Sequence, residues 1–188
     1  MRKFGWQTYG VEMSPKASRY ARDELRIDVN TGELLDCKYK DSYFDAVTMW
    51  HSLEHFYDPL DTLKEIGRIL NNNGLLVVAV PNIDSFVAKV FKTYWYGLQL
   101  PIHLIAFTPE SITKMLKIAG FDVKKIFYDR RSATLKLSLL NLKEGKYRFL
   151  SKLSRFKTSI KMINFVLAMF GSCDIIVIHA RKKTPYGV

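Results

Sequence analysis

Phe44-Asp45-Ala46-Val47-Thr48-Met49-Trp50 runs into His51-Ser52-Leu53-Glu54-His55, and a few residues later comes Asn73-Gly74 with Leu75-Leu76-Val77-Val78-Ala79-Val80-Pro81-Asn82. The first run reads as a strand entered at Asp45, with Ala46, Val47 and Met49 as its buried side chains. Leu75–Val80 is a continuous apolar run of the kind a strand buried on both faces requires. Between them, Asp58-Pro59 opens a helix with Leu60, Leu63, Ile66, Ile69 and Leu70 at helical spacing. Asn71-Asn72-Asn73-Gly74 stops it, and Gly74 is expected in the left-handed C-terminal position. Strand, helix and strand in this order predict parallel pairing through a right-handed crossover.

The same alternation extends both ways. Upstream, Gln7–Val11 is a short strand closed by Glu12, and Ser14-Pro15 caps a helix through Leu25. A further strand ends at Gly32-Glu33-Leu34. Downstream, Thr108-Pro109-Glu110 starts a helix that Gly120 stops, Phe121–Asp129 and Asp174–Ala180 are strands, and Lys143–Phe170 is mostly helical. Phe86–Leu100 is rich in aromatics and too irregular in pattern to assign. The expected architecture is a doubly wound, mostly parallel α/β sheet in one domain over residues 1–188, with a basic helical insert at about 141–171. No internal repeat or low-complexity linker interrupts it.

Composition agrees with one packed domain: 188 residues, 48% of them hydrophobic. Cys37 and Cys173 are too few and too far apart for a disulfide framework or a metal knuckle, and read as reduced thiols of a cytoplasmic protein. The amino terminus lacks the long apolar stretch of a signal peptide, and no apolar run approaches the ~20 residues of a membrane span. The net charge of +11 is uneven, gathering in Lys143–Lys161 and Arg181-Lys182-Lys183. It is a local basic face, and no recognition motif accompanies it, so nucleic acid is not expected as a partner.

Taken together, Glu12 about twenty residues before Glu33, then Phe44-Asp45-Ala46-Val47, Leu53-Glu54-His55, Asn73-Gly74-Leu75 and Pro81-Asn82, resemble the class I S-adenosylmethionine-dependent methyltransferases of the small-molecule kind. The resemblance spans nearly the whole chain. It implies S-adenosylmethionine as cofactor and methyl transfer to a small-molecule, lipid or sugar acceptor. By resemblance, Glu12 meets the ribose hydroxyls, Met13 packs on the adenine, Glu33 faces the adenine amino group and Leu34 offers a backbone amide to the ring. Trp50 and His51 lie beside the methionine portion of the cofactor. His51, His55 and His103 face the acceptor, and His103, in Pro101-Ile102-His103-Leu104, is the candidate general base for an acceptor hydroxyl. Asp45 is expected to tie down backbone and to take no part in chemistry. The string His51-x-x-Glu54-His55 is compared with the Glu-x-x-Glu-His of metal-binding relatives, but its first position is not a carboxylate, and no metal is expected.

The family begins with a strand and glycine-rich loop that hold the cofactor's methionine end; here Phe4-Gly5-Trp6 resembles the end of the helix that follows them. In the family's strand order, 3-2-1-4-5-7-6, the central strand would then lie before this sequence. The strands at Gln7–Val11 and Phe44–Trp50 are expected to lack a common neighbour and to expose edges through which oligomers could form. Cofactor binding by these residues alone is expected to be impaired. The alternative is a catalytically inactive relative acting as a binding or scaffold protein. A nicotinamide-dependent sheet domain is disfavoured by the Phe44-Asp45 to Pro81-Asn82 pattern.

Lys143, Lys146, Arg148, Lys152, Arg155, Lys157 and Lys161 interleave with Tyr147, Phe149, Leu153, Phe156 and Ile160. Such a segment can rest on an anionic membrane surface, or pack as a lid with a solvated basic face. The expected location is cytoplasmic, with peripheral contact at the membrane as the additional reading.

Overall fold

The computed structural model describes residues 2–129, 133–142 and 148–183. Lys143, Lys146 and Tyr147 of the basic segment lie outside them. Six strands form: β1 (Tyr9–Glu12), β2 (Asp28–Thr31), β3 (Phe44–Trp50), β4 (Leu70–Pro81), β5 (Phe121–Tyr128) and β6 (Ile175–Lys182). The helices are α1 (Pro15–Asp23), α2 (Pro59–Ile69), α3 (Phe86–Phe91), α4 (Pro109–Ile118), α5 (Thr134–Asn141) and α6 (Lys157–Met169), with a 3₁₀ segment at Arg148–Arg155. None of the described helices is long and apolar enough to cross a membrane.

Three helices start where their local chemistry dictates. Ser14, Asp58 and Thr108 each accept a backbone N–H with the side chain, and each is followed by proline, whose fixed φ suits a first helical position. Thr108 and Ser111 close a reciprocal capping box. The stop of α2 differs from expectation. Asn73 adopts the positive φ, at 63°, while Gly74 does not and continues into β4. The glycine is needed for space: a Cβ there would lie 3.0 Å from the Asn71 carbonyl oxygen and from Leu70 Cδ2.

The strands fall into two sheets. β1 and β2 pair in parallel, with Glu12 opposite Thr31. The other sheet has the order β3-β4-β6-β5, with β3 and β4 parallel and β6 antiparallel to both its neighbours. Three of its four strands therefore share a direction. β1 and β3 are not hydrogen-bonded to one another, and each turns an unpaired edge towards the other, as the sequence led us to expect. The β1 strand is displaced from Gln7–Val11 by its last residue, Glu12, and begins at Tyr9.

The core sits on the four-stranded sheet. Leu76, Val78 and Val80 of β4 point to one face with Ile176, Ile178 and Ala180 of β6, under Leu63 and Ile66 of α2 and Ile112 and Leu116 of α4. Val77, Ala79 and Val177 form a smaller cluster of their own. This alternation is the period of two expected of a sheet with both faces covered. At the carboxyl end of β4, buried Asn82 donates through Nδ2 to the Cys173 carbonyl and through its backbone to the Asp174 carbonyl. The Pro81-Asn82 pair thus fastens β4 to the chain entering β6. Asp45 accepts from the Asn71 side chain, an architectural role. The basic segment follows α5, between β5 and β6, and its described residues begin at Arg148.

Candidate active site

Between the facing edges of β1 and β3 lies a cleft of about 390 Å³. Its walls include Tyr9–Val11 and Met13 on one side, Ala46–Met49 on the other, and Gly32, Glu33 and Leu34 at the end of β2. Ligands of parallel α/β sheets sit outside the carboxyl ends of the strands, and Met13, Gly32, Glu33 and Ser52 bring part of the cleft wall to those ends. Tyr9 closes its lower part: its hydroxyl lies 3.0 Å from that of Tyr43, and its ring meets Phe44 edge-on at 5.5 Å. The shared hydrogen bond raises the Tyr9 phenol above its ordinary value. On the far side, Arg22 donates to the Val29 carbonyl at 2.7 Å and Ser18 Oγ lies 2.7 Å from Thr31 Oγ1, which pins α1 to β2.

Glu12 and Glu33 stand at the ends of adjacent parallel strands, and the Gly32 amide donates to the Glu12 carbonyl at 3.1 Å. The Glu12 carboxylate, however, accepts from the Ser14 amide at 2.8 Å, and Glu12 is absent from the cleft wall. One of its oxygens is spent on the turn into α1. Met13, Glu33 and Leu34 do line the cleft. Leu34 begins a 3₁₀ turn, Leu34–Cys37, and packs against the main core. Trp50 is 56% exposed and lines neither this cleft nor the cavity described next.

That second cavity, of about 340 Å³, lies over the carboxyl ends of β3 and β4 and gathers His51, His55 and His103. Just past β3, the positive φ of 49° at His51 turns the chain out of the sheet while its amide donates to the Ala79 carbonyl. The 3₁₀ turn Leu53–His55 follows, and the carbonyl of Glu54 accepts from the amides of both Leu104 and Ile105. This pair of hydrogen bonds fixes the segment after His103 against the turn. The rings of His55 and His103 meet edge-on at 4.8 Å. Their Nδ1 atoms lie 3.0 Å from the Ile102 carbonyl and 2.8 Å from the Gly97 carbonyl. A carbonyl can only accept, so Nδ1 carries the proton in both neutral rings and Nε2 keeps the lone pair.

Glu54 was not singled out from the sequence as a site residue in its own right. It is fully buried, neither carboxylate oxygen finds a hydrogen-bond partner among the described residues, and His51 Nδ1 stands 3.5 Å from Oε1. A buried carboxylate of this kind demands a cation or donor. Glu54, His55 and His103 each offer a ligand atom, all within 4.8 Å of one another. These residues are near enough to one another to approach a divalent cation together.

A family model described as a methyltransferase domain matches residues 1–126. A "probable S-adenosylmethionine-dependent methyltransferase" of Mycolicibacterium smegmatis is 26% identical over 102 residues, covering 53% of this chain and 37% of that protein. A demethylmenaquinone methyltransferase of Thermotoga maritima is 28% identical over 135 residues, covering 61% and 59%. The chain thus spans about a third to three fifths of these curated relatives. In fold it is similar to a S-adenosylmethionine-dependent methyltransferase of Thermotoga maritima, described as a possible histamine N-methyltransferase, with a TM-score of 0.64 and 22% identity over 94% of this chain and 73% of that one. A geranyl diphosphate C-methyltransferase of Streptomyces coelicolor, solved with Mg²⁺, geranyl diphosphate and S-adenosyl-L-homocysteine, aligns at a TM-score of 0.57 and 17% identity over 97% of this chain and 64% of that one.

Proposed function

The chain belongs to the class I S-adenosylmethionine-dependent methyltransferases, and on that premise we propose that it transfers a methyl group to a small amphiphilic acceptor held in the histidine cavity. The observation that carries this reading is the convergence of His51 and His55, from the turn after β3, with the sequence-distant His103 on one cavity above the carboxyl ends of β3 and β4. Two relatives named for demethylmenaquinone and geranyl diphosphate support a small-molecule acceptor; a lipid or a sugar is of the same class.

S-adenosylmethionine, the family's cofactor, supplies a sulfonium-activated methyl, so the protein's task is alignment and, for a hydroxyl acceptor, proton removal. The cleft beside β1 suits the adenosyl portion. Met13 and Leu34 offer apolar walls for the purine, Glu33 an acceptor for its amino group, and the second oxygen of Glu12 an acceptor for a ribose hydroxyl. His51, where β3 emerges, is assigned to the side of the methionine portion; Trp50 before it lines neither cavity and keeps at most a backbone role there. Gly32, at a φ of 128° with open space where a Cβ would point, lets the backbone turn there without a side chain in the mouth. The unpaired edges of β1 and β3 supply the rest of the wall.

In the histidine cavity His103 is the general base. The Gly97 carbonyl holds its Nδ1–H, leaving Nε2 to take the acceptor's proton as the new bond forms. His55, held the same way by Ile102, orients the acceptor, and His51 is steadied by Glu54. A single-turnover assay at millimolar S-adenosylmethionine with amphiphilic alcohols tests this. His103→Gln is expected to lower the methyl-transfer rate by about 10²-fold or more. An unchanged rate removes His103 from the chemistry. We further propose that the protein contacts an anionic membrane through its basic segment; no cosedimentation with anionic vesicles at low salt would refute that contact.

A further inference from the structure

Residues 148–170 carry an unusual surface. Phe149, Phe156, Met162, Ile163, Met169 and Phe170 are between 46% and 79% exposed. Only Ile160 and Asn164 of α6 are buried, so most of the helix's apolar side chains face away from the protein. Contiguous exposed apolar surface of this extent marks an interaction face. Beside it lies a cavity of about 450 Å³ lined by Lys136, Lys152, Arg155 and Lys157, with Ser151 and Ser154. None of these four cations enters an ion pair among the described residues. The cavity adjoins the amino end of α6, where Phe156 provides no side-chain cap and the first-turn amides add to the positive field.

Four cations with no ion pair among the described residues converging on one hollow, two hydroxyls within it and an apolar helix alongside match one chemistry: a phosphate joined to an acyl chain. We infer that this cavity is the headgroup site for an anionic phospholipid, with the exposed side of α6 seated in the interfacial acyl layer. The inference deepens the proposed membrane contact and rests on it; what it adds is a phosphate site. It also explains the acceptor class. α5 turns Lys136 and Leu140 to this cavity and Thr134 and Leu137 to the histidine cavity. A helix of eight residues is about 12 Å long, so the membrane seat and the acceptor site lie on two sides of one short wall.

Cosedimentation of the full chain with phosphatidylcholine vesicles containing phosphatidic acid, and with vesicles matched in surface charge by oleate, tests the site. Binding to phosphatidic acid is expected to be about tenfold or more tighter than to oleate. Lys152→Glu with Arg155→Glu should erase that preference, whereas Lys114→Glu with Lys117→Glu on α4, an equal change in charge, should keep it. Equal affinity for both vesicles, or equal effects of the two double variants, overturns the headgroup site while leaving a non-specific membrane contact. Binding to neither vesicle overturns the site and the membrane contact together. Circular dichroism of each variant guards against reading unfolding as lost binding.

Discussion

The two sheets of this protein are built to different standards. β4 and β6 are paired on both edges and enclose side chains such as Leu76, Val78, Val80, Ile176 and Ile178, all at or near zero exposure. β1 and β2 pair only with each other among the described strands, and Val29 is the one buried apolar side chain they contribute. Yet the weaker half supplies Met13, Glu33 and Leu34 to the cleft proposed for the cofactor, while the stronger half holds the histidine cavity in place. A sheet half with so little core of its own opens locally at lower cost. The difference teaches that the four-stranded sheet holds on its own packing, whereas the pair β1–β2 leans on few buried contacts beside the β1–β3 gap.

Hydrogen exchange should expose the contrast most strongly. Amides of β4 and β6 are expected to be protected about a thousandfold or more beyond those of β1 and β2, because the latter open locally without global unfolding. Equal protection would dissolve the comparison. Next, Phe107→Ala removes a fully buried ring from the main core, at a residue whose backbone bridges to Asn82, and should cost about 3–5 kcal/mol in denaturant unfolding. Val29→Ala should cost about 1–2 kcal/mol, since its site can relax towards solvent.

The two thiols report on the same divide. Cys173, in the tight half, is 1% exposed, and burial pushes its thiol up to about 12; Cys37, beside the cleft, is only half-buried and is raised to a smaller degree, also by burial. An aromatic disulfide reagent at pH 8 should label Cys37 and spare Cys173. The sign for stability follows: between about 9, the unshifted value, and about 12 the unfolded chain gives up the Cys173 proton that the native state keeps. Stability therefore falls with rising pH across that window, and Cys173→Ala should flatten this part of the profile. The smallest effect sits at the start of β4. Gly74→Ala should cost about 1 kcal/mol by crowding the Asn71 carbonyl, while Asn73→Gly, at a positive φ, should change stability by no more than about 1 kcal/mol.

Features written in short stretches of chain were legible beforehand. Ser14-Pro15, Asp58-Pro59 and Thr108-Pro109 announce helices because cap and proline act within four residues. Phe44–Trp50 has the boundaries read from its pattern, and the family signature follows from spacing along the same strands. What escaped depends on distant partners. The meeting of His55 with His103 needs the Glu54 carbonyl to receive two amides from residues 104 and 105. The turn of the Glu12 carboxylate to Ser14, the 3₁₀ turn at Leu34–Cys37 and α3 amid the aromatics leave no periodic trace. Glu54 was visible as part of the His51-x-x-Glu54-His55 string, but its full burial comes from tertiary packing that the string does not encode.

The central claim is that the cleft between β1 and β3 receives the adenosyl group. Titration of the chain with S-adenosyl-L-homocysteine to millimolar concentration, followed by amide NMR, tests it most directly. The account predicts weak binding, with shifts concentrated at Gly10–Met13 and Gly32–Leu34. Shifts centred on another part of the molecule, or none at millimolar ligand, would contradict it.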